Sequence, residues 1–394
     1  MIAPMRPKSL LRAREGDDAD RVNFVELFFD LVFVFAVTQL SHLLLAHLSL
    51  LGAIETGLLF LAVWWVWIDT SWVTNWLDPR RRAVRRLLFA LMFAGLILST
   101  SIPEAFDERG LVVAGAYVVL QLGRSCFMLW ALAGRSERNY RNFQRIFVWQ
   151  AVASAFWIVG GVGHGNIRLA AWAVAVVIET LGPIAGFWVP GMGRSTTRDW
   201  DIAGGHMAER CGLFIIIALG ESILVSGATF AELEWTWPIV AGFVSAFLGS
   251  VCMWWIYFNI GAERASHAIE SSADPGRMGR LAYTYFHLPI VAGIIVVAVA
   301  DELVLTHGMG HAAPGFIAVT LGGPALYLVG NIMFKRTVAA HLPLSHLGGL
   351  VMLGIALMLA PVIPPLALHG LATATLLIVS IWETISLKAY LSNS

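Results

Sequence analysis

Apolar runs of about 20 residues recur from one end of this chain to the other, and no other feature constrains its fold as strongly. An α-helix needs about 20 apolar residues to cross the hydrocarbon core of a bilayer. In hydrocarbon, backbone N–H and C=O groups must be satisfied within the protein, so spanning segments are either helices or closed barrels. The runs are too long for barrel strands and lack their alternating pattern. The sequence therefore predicts an all-α, polytopic membrane protein.

The composition agrees with this fold class. The chain has 394 residues, of which 58% are hydrophobic and only 13% charged, and its mean hydropathy is +0.74. A soluble domain of this size usually has about twice that share of charged residues. The formal net charge is zero, so the sequence predicts no basic surface for nucleic acid. Cys126, Cys211 and Cys252 have no paired spacing, so we expect no disulfide framework and no structural zinc site.

We predict about twelve transmembrane helices from the apolar runs and the breaks between them. They lie at 23–47, 51–74, 84–103, 110–133, 143–163, 167–188, 206–230, 237–260, 281–305, 314–334, 346–363 and 366–388. The loops between these segments are short, which leaves no room for a soluble catalytic domain. The sequence therefore indicates that any function resides in the membrane helices themselves.

Lysine and arginine concentrate at one set of helix ends, which predicts the orientation of the chain. All but three of the 26 Lys and Arg residues lie at these ends; Arg109 and Arg168 lie at the opposite ends and Arg124 lies within a span. Cytoplasmic loops of membrane proteins carry the excess of positive charge. We therefore expect both termini in the cytoplasm, with residues 1–22 forming a polar tail that is not a cleaved signal peptide.

The two halves of the chain resemble each other at four places, each in the corresponding span of its half. The matches pair WWVWID (64–69) with WWIYFN (254–259), AGLILSTSIPE (94–104) with AGIIVVAVADE (292–302), LQLGRSCF (120–127) with YLVGNIMF (327–334), and VIET (177–180) with IWET (381–384). We predict one six-helix repeat at 23–190, a cytoplasmic linker at 191–205 and a second repeat at 206–390. Because six spans is an even number, both repeats would face the same way, related by a pseudo-two-fold axis along the membrane normal.

Ionisable residues within the spans are the candidates for function, because a charge at the centre of a membrane helix costs roughly 2.5–3.5 kcal/mol. Glu26 and Asp30 lie four residues apart in the first span and so share a helix face. Two acids on one face repel, which makes them candidate proton or cation carriers unless a cation lies between them. We expect Asp69, Arg124 and Glu179 to join them in one cluster, in which Arg124 offsets part of the acid charge.

Polar residues at corresponding places in the second half extend this prediction. The alignment pairs Glu209 with Glu26, Asn259 with Asp69, Asn331 with Arg124 and Glu383 with Glu179; His206 lies one turn before Glu209, and Glu221 lies deeper in the same span. These residues either line a substrate or ion pathway or hold helices together as structural pairs, and the sequence leaves both interpretations open.

Two further expectations concern solvation and packing. Asp301 and Glu302 lie near the outer end of their span, where we expect interfacial water to solvate both carboxylates. Gly212 and Gly220 lie at helical spacing on the face of Glu209, where small residues would let a neighbouring helix approach closely.

Four segments of the chain resemble the bacterial low temperature requirement A (LtrA) family. They are FVELFFDLVFVFAVTQL in the first span, WWVWIDTSWVTNWLD in the second, HMAERCGLFIIIALGESIL in the seventh and YFHLPIVAGI in the ninth. The resemblance covers nearly the whole chain. It implies an integral protein of the bacterial cytoplasmic (inner) membrane with many helices, and it implies no particular substrate.

A secondary transporter or permease is the function that these features favour, with proton or cation coupling through the intramembrane carboxylates. Its partners would be the lipid bilayer and a small molecule or ion. The alternatives are a channel and an intramembrane enzyme acting on lipid or lipid-linked groups, which would use Glu26 or Glu209 as a base beside His206. No Walker loop, G-x-S-x-G elbow or H-E-x-x-H motif occurs, so we expect no cofactor, no metal and no catalytic residues.

Overall fold

The computed structural model describes residues 9–12, 21–197, 202–259, 272, 274–339 and 342–392. These residues form twelve main helices and no strands. The helices are α1 (Phe24–Ala46), α2 (Leu50–Trp76), α3 (Arg82–Ser101), α4 (Gly110–Leu132), α5 (Glu137–Val162), α6 (Asn166–Ile184), α7 (Gly204–Glu232), α8 (Trp237–Phe258), α9 (His287–His307), α10 (Pro314–Ala339), α11 (Leu344–Leu359) and α12 (Pro365–Ser392). A five-residue helix (Pro275–Gly279) and a π-helical turn (Arg280–Tyr285) lead into α9.

Eleven helical segments of the described chain are long and apolar enough to cross a membrane. The exception among the predicted spans is the eleventh, where α11 has only 16 residues. The all-helical, many-span prediction is confirmed, and most predicted ends agree with the observed ones to within a few residues. Parts of the predicted tail and linker, residues 1–8, 13–20 and 198–201, lie outside the described residues.

Polar caps mark the starts of two helices, of which α5 begins earlier than the hydropathy predicts. Ser136 accepts a hydrogen bond from the backbone N–H of Asn139, and so α5 begins at Glu137, several residues before its apolar stretch. Glu137 also forms a 2.8 Å ion pair with Arg141, one turn further along. Such caps satisfy backbone donors that have no partner within the helix. Asp274 caps the five-residue helix Pro275–Gly279 in the same way, by accepting from the backbone N–H of Arg277.

Arg168 caps the carbonyl ends of two neighbouring helical segments. Its guanidinium donates to the carbonyls of Gly160 and Gly163 at the end of α5, and to those of Ala105 and Asp107 after α3. The residue lies in the first turn of α6 and is buried, although its charge suggested a place at the membrane surface. Five N–H donors in a fixed fork suit a site where several helix carbonyls converge.

The described chain divides into two compact units. Unit 1 takes its residues from 1–36 and 61–207, and unit 2 from 37–60 and 208–394. In unit 1, α4 packs against α3 and α5, and α5 packs against α6. In unit 2, α9 packs against α10, and α12 packs against α8 and α11. The division differs from the predicted repeat boundaries because residues 37–60 group with the second half of the chain.

Large apolar side chains cover much of the outer surface of the described helices, as expected for a protein solvated by lipid. Phe93 on α3, Trp130 on α4, Leu224 on α7 and Met358 on α11 are all more than half exposed. Polar side chains instead lie in the interior, among them Glu26, Asp30, Arg124 and Glu383. A water-soluble protein shows the opposite arrangement.

Candidate functional site

Glu26 lies in the first turn of α1 and pairs with two basic residues of unit 1. Its Oε1 lies 2.8 Å from Nε2 of His206, and its Oε2 lies 3.2 Å from Nη2 of Arg12. Oε2 also accepts from the backbone N–H of Asn23 at 2.8 Å. The Glu26 and His206 side chains are both 0% exposed. Together with Asn75, whose contacts are given below, these three side chains form what we call the α1 site: Glu26, His206, Arg12 and Asn75.

Backbone hydrogen bonds place Arg12 beside Glu26. The N–H of Asp78 donates to the carbonyl of Leu10, and the N–H of Arg12 donates to the carbonyl of Trp76, both at 2.8 Å. These bonds hold the described N-terminal segment 9–12 along the end of α2. From the sequence, Arg12 is only one of the positive charges of the N-terminal tail, because nothing local to residue 12 predicts contact with a buried carboxylate.

Asn75 sets the tautomer of His206. The Asn75 amide accepts from the backbone N–H of Ala203 and donates to its carbonyl, which fixes the orientation of the amide. The same Nδ2 lies 3.2 Å from Nδ1 of His206, so this ring nitrogen is an acceptor. The imidazole proton therefore lies on Nε2 and points at Glu26. Arg12 also approaches Nε2, and both side chains direct their N–H groups toward the carboxylate.

Asp30 lies one turn after Glu26 and is also fully buried. Its Oδ1 accepts a hydrogen bond from the indole Nε1–H of Trp67 on α2 at 2.9 Å. Trp67 was not among the predicted site residues, because tryptophan in an apolar run is ordinarily a packing residue. An indole N–H inside a membrane protein needs an acceptor, however, and a buried tryptophan near a buried acid is the signal that could have identified this pair.

Arg124 on α4 is the centre of a second polar group in unit 1. Its Nη2 forms a 2.9 Å ion pair with Asp69 of α2 and also donates to Oε1 of Gln121. Its Nη1 donates to the carbonyl of Val66 at 3.3 Å and to the hydroxyl of Thr70 at 3.2 Å. Arg124 is almost fully buried, whereas Asp69 keeps 27% of its side chain exposed. The guanidinium thus links α4 to α2 through an ion pair with Asp69 and a hydrogen bond to the Val66 carbonyl.

Glu179 on α6 joins this group through neutral donors. The hydroxyl of Tyr117 donates to Oε2 at 2.7 Å, and the amide of Gln121 donates to that hydroxyl at 3.0 Å and to Oε1 at 3.4 Å. The indole of Trp157 also donates to Oε2, at 3.4 Å. The Arg124 group therefore consists of Asp69, Arg124, Gln121, Tyr117 and Glu179. Gln121 and Tyr117 were not among the predicted site residues, because their side chains are neutral and do not stand out in an apolar run as a charge does.

Glu383 on α12, the alignment partner of Glu179, pairs with a lysine in unit 2. Its Oε1 lies 2.5 Å from Nζ of Lys335, which also donates to the carbonyl of Ile256 at 2.9 Å. His346 on α11 lies 3.4 Å from the same Nζ. Lys335 is only 5% exposed and lies one turn before the end of α10, because this helix continues past residue 334, where the sequence predicts its end. Asn331, one turn earlier, donates to the carbonyl of Tyr327.

Two predicted site residues lie on the exterior of the chain. Glu209 is exposed on α7, although its alignment partner Glu26 is fully buried. Asn259 is exposed at the end of α8, where its amide donates to the hydroxyl of Thr384 at 3.1 Å. The alignment thus matches positions along the helices and leaves the direction of individual side chains undetermined.

Glu221 is buried on α7, and its carboxylate accepts from two hydroxyls of α1. The Thr38 hydroxyl donates to Oε2, and the Ser41 hydroxyl donates to Oε1 at 3.0 Å. These contacts lie within unit 2, to which the end of α1 belongs. Glu302, on α9, interacts electrostatically with Glu221 and with His42.

Asp301 is buried, and its expected solvation at the interface is wrong. It is 1% exposed. Its Oδ2 accepts from the Ser222 hydroxyl at 2.5 Å, and its Oδ1 lies 2.9 Å from Nε2 of His369. Nδ1 of His369 lies 2.9 Å from the hydroxyl oxygen of Ser245 on α8. Residue 301 lies only a few positions before the end of its apolar run, which suggested a position at the membrane surface. The carboxylate is buried instead against α7 and α12, which bring Ser222 and His369 to it.

Comparisons with known proteins extend the sequence resemblance. The family model described as "Bacterial low temperature requirement A protein (LtrA)" matches residues 21–381. A protein of Rhizobium meliloti (strain 1021), named "Uncharacterized protein RA0937", is 43% identical over 377 residues, which cover 95% of this chain and 92% of that protein. No solved structure matches the chain.

Proposed function

The chain belongs to the bacterial low temperature requirement A family, and we propose that it is a proton-coupled secondary transporter of the bacterial cytoplasmic membrane. The Glu26–His206 pair carries the coupling proton. The observation that supports this function is the 2.8 Å contact between a carboxylate and an imidazole that are both 0% exposed. Ionisable side chains at such places in membrane helices are typical of proton pathways.

Taking up a proton would break one contact of the α1 site. Protonation of His206 at Nδ1 places two N–H donors against each other, because Asn75 already donates there. Protonation of Glu26 instead removes the negative charge that holds Arg12. In either case a contact between α7 and α2, or between α1 and the segment 9–12, is lost. Proton binding can drive transport only if the two conformations differ in their affinity for the proton, and these contacts supply such a difference.

Corresponding contacts in the two halves support the six-plus-six repeat as part of the proposal. Arg124 donates to the carbonyl of Val66, and Lys335 donates to the carbonyl of Ile256. Val66 and Ile256 are partners in the WWVWID–WWIYFN match. Each cation belongs to the fourth helix of its half, and each donates to a carbonyl of the second. Internal repeats of this kind are a feature of many secondary transporters.

Solute-driven proton flux tests the proposed function directly. The purified chain is reconstituted into phosphatidylethanolamine and phosphatidylglycerol vesicles that contain the pH dye pyranine. Amino acids, sugars, nucleosides, polyamines and organic acids are then added outside, one at a time. We expect at least one solute to drive proton movement, and we expect Glu26→Gln and His206→Gln to abolish it, because each variant destroys the carboxylate–imidazole pair that holds the coupling proton.

The exposed carboxylate of Glu137 provides the matched control. Glu137→Gln removes an acid of the same unit whose ion pair with Arg141 lies at the surface, so solute-driven flux should match that of the unsubstituted chain. Equal flux in Glu26→Gln and in the unsubstituted chain would remove the Glu26–His206 pair from the coupling mechanism. Single-channel currents in a planar bilayer would instead favour a channel. A lipid species missing from a deletion strain would favour an intramembrane enzyme.

A further inference from the structure

Asp301, His369 and Ser245 form a continuous hydrogen-bonded line from α9 through α12 to α8. The carboxylate Oδ1 lies 2.9 Å from His369 Nε2, and His369 Nδ1 lies 2.9 Å from Ser245 Oγ. The other carboxylate oxygen accepts from Ser222 of α7, and Ser222 also lies 2.8 Å from the hydroxyl of Ser250. Asp301 and His369 are 1% and 4% exposed, whereas Ser245 is partly exposed.

The order Ser–His–Asp resembles a nucleophilic triad, but the backbone around Ser245 does not suit that chemistry. Acyl transfer needs N–H donors aimed at the oxyanion that forms on the substrate. Ser245 lies in the interior of α8 (Trp237–Phe258), where backbone N–H groups bond to carbonyls of the same helix. The neighbouring amides are therefore not available to an oxyanion. The arrangement favours movement of a proton along the line over attack by the serine.

Ser245 allows His369 to exist in two protonation states without losing a hydrogen bond. A hydroxyl can donate to a neutral Nδ1 or accept from a protonated one. In the second case Ser245 donates to the Thr373 hydroxyl, 3.0 Å away, and Thr373 donates to the carbonyl of Ser245 at 3.3 Å. The amide of Asn75 at His206 can only donate to the ring nitrogen. Protonation therefore breaks a contact at His206 but requires only rotation of a hydroxyl at His369.

We propose that Asp301 and His369 form a second proton-binding site of this protein, with Ser222 and Ser245 as its positioning residues. The negative charge of Asp301 offsets the positive charge that His369 gains on protonation. The site lies wholly in unit 2, near the end of α9 and the start of α12. With both termini in the cytoplasm, as the arginines and lysines predict, these helix ends lie on the extracytoplasmic side.

Other titratable groups lie at this end of unit 2 on four helices, among them Glu55 in the second turn of α2, Glu232 at the end of α7 and His307 at the end of α9. Glu221 lies on α7 beside Ser222, Glu302 lies on α9 next to Asp301, and His42 lies on α1. Glu302 interacts electrostatically with both Glu221 and His42. The start of α12, between Pro365 and His369, and the first half of α10 contribute no further ionisable side chain. A titration that belongs to Asp301 and His369 must therefore be distinguished from one that belongs to Glu302 or His42.

Nuclear magnetic resonance of the full chain in detergent micelles tests the proposal, with ¹⁵N-labelled histidine and a series of pH values. We expect one imidazole to change from a neutral tautomer protonated at Nε2 to a doubly protonated ring, and His369→Gln to remove its signals. Asp301→Asn should abolish the doubly protonated form at the pH where the unsubstituted chain shows it, because the buried cation would lose its counter-charge. Ser245→Ala should weaken that form, since protonated Nδ1 would lack its acceptor.

Matched controls separate this site from its neighbours. Ser226→Ala removes a buried serine whose hydroxyl bonds to carbonyls of its own helix, and Glu302→Gln removes the adjacent carboxyl. Both should leave the His369 signals unchanged, and size-exclusion chromatography checks that each variant remains folded.

A His369 ring that stays neutral at every pH at which the chain remains monodisperse would overturn the proposal. So would covalent labelling of Ser245 by a fluorophosphonate probe, which would assign the line to nucleophilic chemistry instead. The titration requires no transport. If His369 titrates but no solute drives proton flux, this site is retained and the proposed function is lost. If a solute drives proton flux but His369 stays neutral, the proposed function is retained and this site is lost.

Discussion

Arg124 and Lys335 show how a positively charged side chain is accommodated among apolar helices. Each donates to an acid and to a helix carbonyl that has a lone pair to spare. Arg124 makes these contacts from two ends of a planar fork, whereas Lys335 makes them from one ammonium group. The two cations do not occupy aligned positions, since Asn331 is the partner of Arg124 and Lys335 lies one turn later. Similar chemistry is thus reached from different residues in the two halves.

We predict that Arg124→Gln lowers the free energy of unfolding by about 3 kcal/mol, the loss seen when one partner of a buried ion pair is removed. The reason is that Asp69 would remain in the helix interface without its cation. The measurement is reversible unfolding of the full chain in mixed micelles. The double variant Asp69→Asn, Arg124→Gln should lose less than the sum of the single variants. Additive losses would show that the two side chains do not stabilise each other.

Single residues also mark where sequence reasoning reached its limit. Glu26, Asp30 and Glu179 could be identified as buried acids because each interrupts an apolar run. Their partners could not, since Arg12 belongs to a polar tail and Trp67 to an apolar stretch. His369 was overlooked for the same reason, because its importance comes from Asp301 on another helix. Charge in an apolar segment is visible locally, whereas the group that neutralises it comes from a distant part of the chain.

At the scale of elements, glycines bring α9 and α10 close together. A Cβ atom added to Gly293 would lie 2.5 Å from the backbone nitrogen of Tyr327, and one added to Gly323 would lie 2.9 Å from that of Val297. The same holds at Gly330, beside the backbone nitrogen of Ile290. Small residues allow such close approach between membrane helices, where dispersion contacts between backbones replace the hydrophobic effect.

We predict that Gly323→Ala destabilises the chain by about 1–3 kcal/mol, the usual range for overpacking, because α9 would be pushed away from α10. The adjacent Gly322 is the matched control, since a Cβ atom there meets no atom within 4 Å. Gly322→Ala should be neutral or slightly stabilising, because alanine favours the helix more than glycine does. Thermal unfolding in micelles compares the two variants. Equal stability of both would contradict the close packing of α9 on α10.

The sequence pattern pointed to other glycines for such a contact. Gly212 approaches only the ring of Phe258, and Gly220 has open space around it. Spacing along one helix shows which residues share a face, but many faces of a membrane helix meet lipid. Whether a glycine faces lipid or a neighbouring backbone depends on the packing of helices, which a single segment does not encode.

At the scale of the whole molecule, the distribution of arginine and lysine predicts the orientation of the chain in the membrane. The side-chain contacts described above do not test this prediction. We predict that alkaline phosphatase fused after Ser394 is inactive, because the C-terminus would remain in the cytoplasm, and that the enzyme is active when inserted after Asp107, between α3 and α4. Enzyme activity in intact cells, normalised to the amount of fusion protein, is the measurement. Activity of the C-terminal fusion would reverse the orientation and with it the extracytoplasmic placement of the Asp301–His369 site.

The sequence by itself determined that lipid surrounds this protein and that its secondary-structure elements are membrane-spanning helices. Runs of apolar residues long enough to span a bilayer required helices, and the breaks between runs placed most of their ends. These are local properties, set by backbone hydrogen bonding in hydrocarbon. Only the tertiary structure decided which buried groups meet: Glu26 with His206 and Arg12, Glu383 with Lys335, and Asp301 with His369. All of these contacts except Glu26–Arg12 join residues at least 48 positions apart, so they depend on helix packing, which no single apolar run specifies.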